Sequence, residues 1–110
     1  KGSNSVEGHH LTFFIQQDQM HKGIPVTEWL AGEAQALGIA GAVLLNAGEG
    51  FGHAGRLFAA RFSGPSGWAH ELTMPVTVAE LQAILARLRK ENLRVFYTYA
   101  QVDFGMSVKP

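Results

Sequence analysis

The stretch LTMPVTVAELQAILARLRK, residues 72–90, contains the clearest transition from a strand to a helix in the chain. Residues 72–76 are typical of a strand, and Pro75 favours a sheet edge or a strand end for this part. Thr77 and Glu80 have the T-x-x-E spacing of a capping box, in which hydroxyl and carboxylate satisfy each other's backbone amides. The sequence therefore predicts a helix that begins directly after residue 77.

This predicted second helix has an apolar face and a basic end. The apolar face repeats at helical spacing through Val78, Leu81, Leu85 and Leu88. Arg87, Arg89 and Lys90 follow in the last turns, where the helix dipole favours cations. A structural role is therefore sufficient to explain these three cations.

A strand, a helix and a second strand are predicted before this unit, and one further strand is predicted after it. Residues 11–17 (LTFFIQQ) predict a strand, and residues 26–37 predict a helix that stops at Gly38. Residues 39–46 predict a buried strand, and residues 94–102 predict the last strand. The complete order is that of an α+β, ferredoxin-like βαββαβ sandwich, with a long loop after the second strand.

The length of 110 residues predicts a single domain, which we place at residues 11–110. Residues 1–10 are polar and glycine-bearing, so we expect a disordered N-terminal arm or an expression remnant. His9 and His10 are for this reason left out of the site predictions.

The sheet is predicted to lack a polar face. In LTFFI (residues 11–15) and VFYTYA (residues 95–100), both alternating sets of side chains are apolar or aromatic. Helices on one side of a four-stranded sheet would leave the other side open, where alternation to polar residues is the usual pattern. Either the long loop or other subunits would cover this second face, and we expect other subunits, because the loop is too glycine-rich to supply a core.

Composition excludes several classes of function. Nine Lys plus Arg balance nine Asp plus Glu, so no overall positive field draws in nucleic acid. The chain has no cysteine, which excludes disulfides and thiolate chemistry. No apolar run approaches the roughly 20 residues that span a bilayer, and no signal-peptide pattern is present. We expect a cytoplasmic protein without direct membrane insertion.

The glycine-rich stretch AGEGFGHAGR, residues 47–56, is the strongest candidate for function. Glycines allow positive φ and close backbone approach, and consecutive amides that point one way can bind an anion. Arg56 could then clamp a phosphate or a carboxylate. A protein-docking loop and a simple connecting loop remain alternatives, because glycines serve these roles as well.

Acid-base chemistry and metal binding have weaker support. His53 with Glu49 nearby could form an acid-base pair, although a solvated loop histidine has the same pattern. His21 and His70 could join His53 in a metal site, but the clustered spacing that zinc prefers is missing. We therefore predict no metal ligand and assign no catalytic residue.

Two segments carry a resemblance to a known family. GIPVTEWLAGEAQALGIAGAVLLNAGEGFGHAGRLFAARF (residues 23–62) resembles the G-x-P helix, the following strand and the G-[FY]-G-x-x-G-R loop of the PII-like proteins in domain of unknown function family 190. LRVFYTYAQVDFG (residues 93–105) resembles the end of the proteobacterial branch of that family. The similarity extends over most of the chain.

The resemblance implies a trimer whose sheets pack around a threefold axis, with adenine nucleotides bound in clefts between subunits. The loop after the second strand, called the T-loop, would contact effectors and target proteins. Gly50, Phe51 and Gly52 match the G-F-G at the base of that loop. The usual PII phosphate loop before the last strand is reduced here to KENLR, residues 90–94.

We therefore predict a homotrimeric, non-enzymatic regulatory protein that binds a small anionic effector such as ATP, ADP or AMP. Its target protein would be a transporter or an enzyme. The predicted effector-binding residues are Gly50, Phe51, Gly52, His53, Gly55, Arg56, Lys22 and Arg94. The alternatives are a small ferredoxin-like isomerase or lyase that uses His53, and a structural adaptor that binds no effector.

Overall fold

The sheet and two helices of the predicted sandwich are present in the computed structural model, which describes residues 5–16, 18–45 and 69–108. The elements are β1 Ser5–Gln16, β2 Met20–His21, β3 Ile24–Pro25, α1 Val26–Ala36, β4 Val43–Leu45, β5 Ala69–Thr77, α2 Val78–Lys90 and β6 Phe96–Gly105. One antiparallel sheet has the order β4-β5-β1-β6, and β2 pairs with β3 in a separate hairpin. This order confirms the α+β, ferredoxin-like prediction.

The predicted long loop, residues 47–70, falls almost entirely outside the described residues. Residues 69–70 are the exception, because they already form the beginning of β5. Strand β5 is therefore longer than the predicted residues 72–76. Pro75 is placed as expected, since β4 reaches along β5 only as far as the pair Val43–Thr73 and leaves an edge beyond it.

Helix α1 begins and ends close to its predicted positions. Val26, Leu30 and Ala34 are buried against the sheet, as the helical spacing indicates. Gly38 has φ 79°, and its amide and the next one bond back to carbonyls of the last turn. This Schellman arrangement requires positive φ at the position after the helix, which explains the glycine there.

The capping box that predicts the start of α2 is formed. The Thr77 amide donates to Glu80 Oε1 at 2.9 Å, and the Glu80 amide donates to Thr77 Oγ1 at 3.1 Å. The buried side chains of α2 are Leu81, Ile84, Leu85 and Leu88. Val78, which we expected on the apolar face, is exposed because it lies in the first turn, at the rim of the core.

Strand β1 begins six residues earlier than predicted. Residues 5–10, which we expected in a disordered arm, pair with the last residues of β6, from Ser5 opposite Gly105 to His10 opposite Ala100. The prediction was wrong because this segment is stabilised by a strand almost one hundred residues away. Its own composition carries no strand signal.

Two other strands begin at a later residue than predicted. Strand β4 covers only Val43–Leu45 of the predicted residues 39–46, because Ile39 is used to close the end of α1 and is buried in the core. Strand β6 begins at Phe96 and not at residue 94, and it continues to Gly105.

The core lies between the helices and one face of the sheet. Leu11, Phe13 and Ile15 of β1 are completely buried there, together with side chains of α1, β5 and α2. An ion pair between Arg87 of α2 and Glu33 of α1 joins the two helices on their outer side. Among the described residues, no helix is long and apolar enough to cross a membrane.

The other face of the sheet, called here the open face, carries few charges. Strand register assigns to it His10, Thr12, Phe14, Val43, Leu45, Glu71, Thr73, Pro75, Phe96, Thr98 and Ala100. Phe14 is buried beside Phe96, with ring centroids 5.6 Å apart, whereas Val43 is 57% exposed. Glu71 is the one carboxylate in this set, so the face carries few charges, as predicted. It is not without polar groups, because His10, Thr12, Glu71, Thr73 and Thr98 are five of its eleven residues, and in this respect the prediction was wrong.

Gly8 lies at a position of β1 where the neighbouring strands leave no room for a side chain. A Cβ atom at this position would overlap the Val76 carbonyl oxygen and would lie 2.7 Å from Cε2 of Phe104. The Val76 backbone cannot easily move aside, because β5 pairs with β1 along this stretch of the sheet. The early part of β1 therefore depends on the absence of a side chain at residue 8.

We expect Gly8→Ala to lower the free energy of unfolding by about 1–3 kcal/mol, because the methyl group overpacks a rigid site. Gly32→Ala is the matched control, since a Cβ atom at residue 32 of α1 meets nothing within 4 Å. It should stabilise the protein by about 0.5–1 kcal/mol through helix propensity. Urea unfolding measures both changes, and equal effects of the two substitutions would contradict the described pairing of β1.

Candidate functional site

The predicted effector-binding residues divide into two groups. Six of them lie outside the described residues, namely Gly50, Phe51, Gly52, His53, Gly55 and Arg56. Lys22 and Arg94 are described, and the structure places both at one corner of the molecule. This hairpin corner consists of Gln19, His21, Lys22, Glu91 and Arg94, which come from the β2–β3 hairpin and from the segment between α2 and β6.

The hairpin lies between β1 and α1. Met20 pairs with Pro25 and His21 with Ile24, so Lys22 and Gly23 form a two-residue turn. Their φ values of 53° and 82° are both positive, as a type I′ turn requires. Glycine adopts this conformation freely, whereas the left-handed region costs lysine about 1–2 kcal/mol. The lysine at this position is the reason that the sequence gives only a weak turn signal.

The second half of the corner is positioned by the end of α2. Glu91 is the last residue of helical geometry, and Asn92 follows with φ 52°. The Asn92 amide donates to the Arg89 carbonyl and the Leu93 amide to the Leu88 carbonyl, each at 3.0 Å. This is the same Schellman arrangement that ends α1, with asparagine in place of glycine.

Two side chains of the hairpin converge on one carboxylate oxygen. His21 Nε2 and Lys22 Nζ each lie 3.0 Å from Oε1 of Glu91. Gln19 Nε2 donates to the Arg94 carbonyl oxygen at 3.1 Å and adds a further link between the halves. The corner therefore joins residues that are about 70 positions apart in the sequence.

The hairpin is also fixed to the first helix. The amide of Val26, the first residue of α1, donates to the Gln19 carbonyl at 3.0 Å. The His21 ring meets Trp29 of α1 edge to face, with ring centroids 4.9 Å apart. Because Trp29 itself packs on the core, His21 is held from both sides.

The electrostatics of the corner favour the ionised form of Glu91. The hydrogen bond from Lys22, and then that from His21, hold the pKa of the Glu91 carboxyl below its usual value. Arg89 and Lys90 lie immediately before it at the end of α2. Glu91 is thus a single carboxylate in a cationic neighbourhood.

This arrangement is suited to anion recognition. It offers an ammonium group and an imidazole on a short hairpin whose backbone is fixed at both ends, and such preorganised donors bind carboxylate or phosphate oxygens. No group of three or more His, Cys, Asp or Glu residues within the described ranges could hold a metal ion. His53, the centre of the alternative enzymatic hypothesis, lies outside those ranges.

Sequence reasoning found two of the five corner residues. It missed Gln19, His21 as an anion partner, and Glu91, because their roles depend on the contact between the hairpin and the end of α2. The negative charge of Glu91 could have pointed to a role for this residue. It follows three cations at the end of a helix, where negative charge is disfavoured.

Comparison with known proteins identifies the family. The profile of DUF190, described as uncharacterized ACR, matches residues 8–80. The chain belongs to DUF190. No curated protein matches it in sequence.

Solved structures show which fold this DUF190 chain shares. A putative PII-like signaling protein from Thermus thermophilus matches with a TM-score of 0.59 at 19% identity, over 93% of this chain and 92% of the other. CPII, a nitrogen regulatory PII-like protein from Thiomonas intermedia K12, solved with ADP, AMP and bicarbonate, matches with a TM-score of 0.58 at 12% identity, over 94% and 99%. The apo form of CPII gives 0.56 at 13% identity, over 91% and 96%. The fold is PII-like.

The lowered pKa of Glu91 gives the corner a defined effect on stability. A carboxyl whose pKa is lower in the folded state adds stability above its unfolded pKa of about 4.5, and this stability is lost as pH falls through the folded pKa. Glu91→Gln should therefore unfold more easily than the wild type near neutral pH, and the difference should shrink on acidification.

Urea unfolding at several pH values from about 6 to 3 measures this difference. Glu28→Gln, which removes a carboxylate of α1 outside the corner, is the control for loss of charge. A gap between wild type and Glu91→Gln that stays constant over this range would contradict the assigned contacts.

Proposed function

We propose that this protein is a cytoplasmic, trimeric and non-enzymatic PII-like regulatory protein. It binds a small anionic effector, an adenine nucleotide, in the cleft between subunits. The T-loop, which ends before β5 begins at residue 69, contacts a target protein such as a transporter or an enzyme, and effector binding changes that contact.

One observation carries the proposal: the chain shares its fold, nearly from end to end, with CPII bound to ADP, AMP and bicarbonate. Membership of DUF190 is consistent with a PII-like protein. At 12% identity the individual contacts cannot be transferred, so the effector site has to be argued from this chain's own residues.

The effector site that we propose has two parts. Lys22 and Arg94 supply positive charge at the hairpin corner, and Lys22 presents its ammonium group from a rigid turn. Gly50 to Arg56 would border the same cleft, with Arg56 as a bidentate clamp for phosphate. Amides of the glycines would supply hydrogen bonds to the phosphate oxygens.

The open face supports assembly into a trimer. It is rich in threonine and apolar side chains, and Val43 is largely exposed in the single chain. Exposed apolar side chains on a face with few charges favour contact with another subunit. Packing of three such faces around one axis covers each of them with the others.

Calorimetric titration with ATP, ADP and AMP tests the proposed effector. We expect binding near one nucleotide per chain, weakened about tenfold, or 1.4 kcal/mol, by Arg56→Ala and by Lys22→Ala, because each removes a phosphate-binding cation. Arg87→Ala removes the cation of α2 that pairs with Glu33, outside the corner, and should leave affinity within about twofold of wild type. Absence of heat with every nucleotide would contradict the proposal.

A further inference from the structure

We propose that Glu91 closes the anion site of the hairpin corner from within: its carboxylate occupies the place of the effector's phosphate oxygen between His21 and Lys22, and effector binding displaces it. This inference rests on the proposed function, because it concerns the anion that the corner receives. It gives Glu91 the role of an affinity-determining residue.

The first support is the position of Glu91 on its helix. The carboxylate follows directly on the last residue of α2, where the negative end of the helix dipole disfavours negative charge. Helix stability alone would favour a cation at this position, as at Arg87, Arg89 and Lys90. The carboxylate is retained at this site by the hairpin's two donors.

The second support is that both donors use one oxygen. His21 Nε2 and Lys22 Nζ meet at Oε1 of Glu91, each at 3.0 Å, although they project from adjacent residues of a tight turn. The left-handed backbone at Lys22 makes this convergence feasible. Two donors aimed at one oxygen form a receptor for an oxyanion, and Glu91 is its internal occupant.

The third support is the accessibility of the site. The side chain of Lys22 is 63% exposed, whereas those of His21 and Glu91 are 16% and 23% exposed. Solvent therefore reaches the lysine directly, and an incoming anion can exchange with the carboxylate without unfolding the hairpin. Gln19, bonded to the Arg94 carbonyl, keeps the two halves together during the exchange.

The ligand chemistry that fits is a phosphate oxyanion, which the terminal group of a nucleotide or free orthophosphate can supply. An ammonium group and an imidazole act as separate point donors, and both can follow a tetrahedral group. The resident carboxylate lowers affinity in two ways, because it neutralises Lys22 and repels the incoming negative charge.

The test is titration of the full chain and its Glu91→Gln variant with ATP, and in a second arm with inorganic phosphate. Glutamine preserves the size of the side chain and can still accept a hydrogen bond, so the hairpin stays docked. We expect Glu91→Gln to bind about fivefold to tenfold more tightly than wild type. Tighter binding of ATP alone assigns the site to nucleotide, and tighter binding of both ligands assigns it to the phosphate group itself.

Glu33→Gln is the matched control. Glu33 also pairs with a cation of α2, Arg87, so its substitution removes the same charge and a comparable ion pair outside the corner. This inference would be overturned if Glu91→Gln bound ATP no more tightly than the wild type. It would also be overturned if the gain in affinity were no larger than that of Glu33→Gln. Either result would leave the proposed function intact. Absence of ATP binding in all three proteins would overturn both.

A second readout follows the displaced contact directly. In the wild-type protein, the His21 ring resonances should shift during ATP titration, because Nε2 exchanges its partner, and Glu33→Gln should show the same shift. If the His21 resonances stay unchanged when ATP saturates the protein, the inference is overturned.

Discussion

Strand β1 is the element on which the rest of the structure depends. It hydrogen-bonds to β5 on one side and to β6 on the other, while Leu11, Phe13 and Ile15 lie completely buried beneath the helices. Because both βα units of the fold meet at this strand, its register fixes where α1 and α2 lie. The hairpin corner follows from it, since β1 leads into the hairpin and β6 follows the loop after α2.

The hairpin corner is held by the hydrogen bond of Gln19, by the contact of His21 with Trp29 and by the ion pairs of Glu91. Glu91 is held by Lys22 and His21, whose hydrogen bonds lower the pKa of its carboxyl. A contact between charged, partly exposed groups contributes modestly to stability and is readily exchanged.

The sequence predicts those parts of the fold that are determined locally. The capping box at Thr77 and Glu80 and the stop at Gly38 depend on neighbouring residues, and both are present. The first half of β1 was missed because its partner strand is far away in the chain. Glu91 was missed at the site for the same reason, since its partners His21 and Lys22 lie about 70 residues earlier.

The central claim is that this PII-like fold works as a nucleotide-binding trimer, and native mass spectrometry tests it most directly. We expect three copies of the 11.9 kDa chain, with up to three nucleotides added by ADP or ATP. Thr98→Glu places a charge on the open face and should dissociate the assembly, whereas Gln101→Glu on the opposite face of β6 should not. A monomer or a dimer as the main species, or a trimer that takes up no nucleotide, would contradict this account.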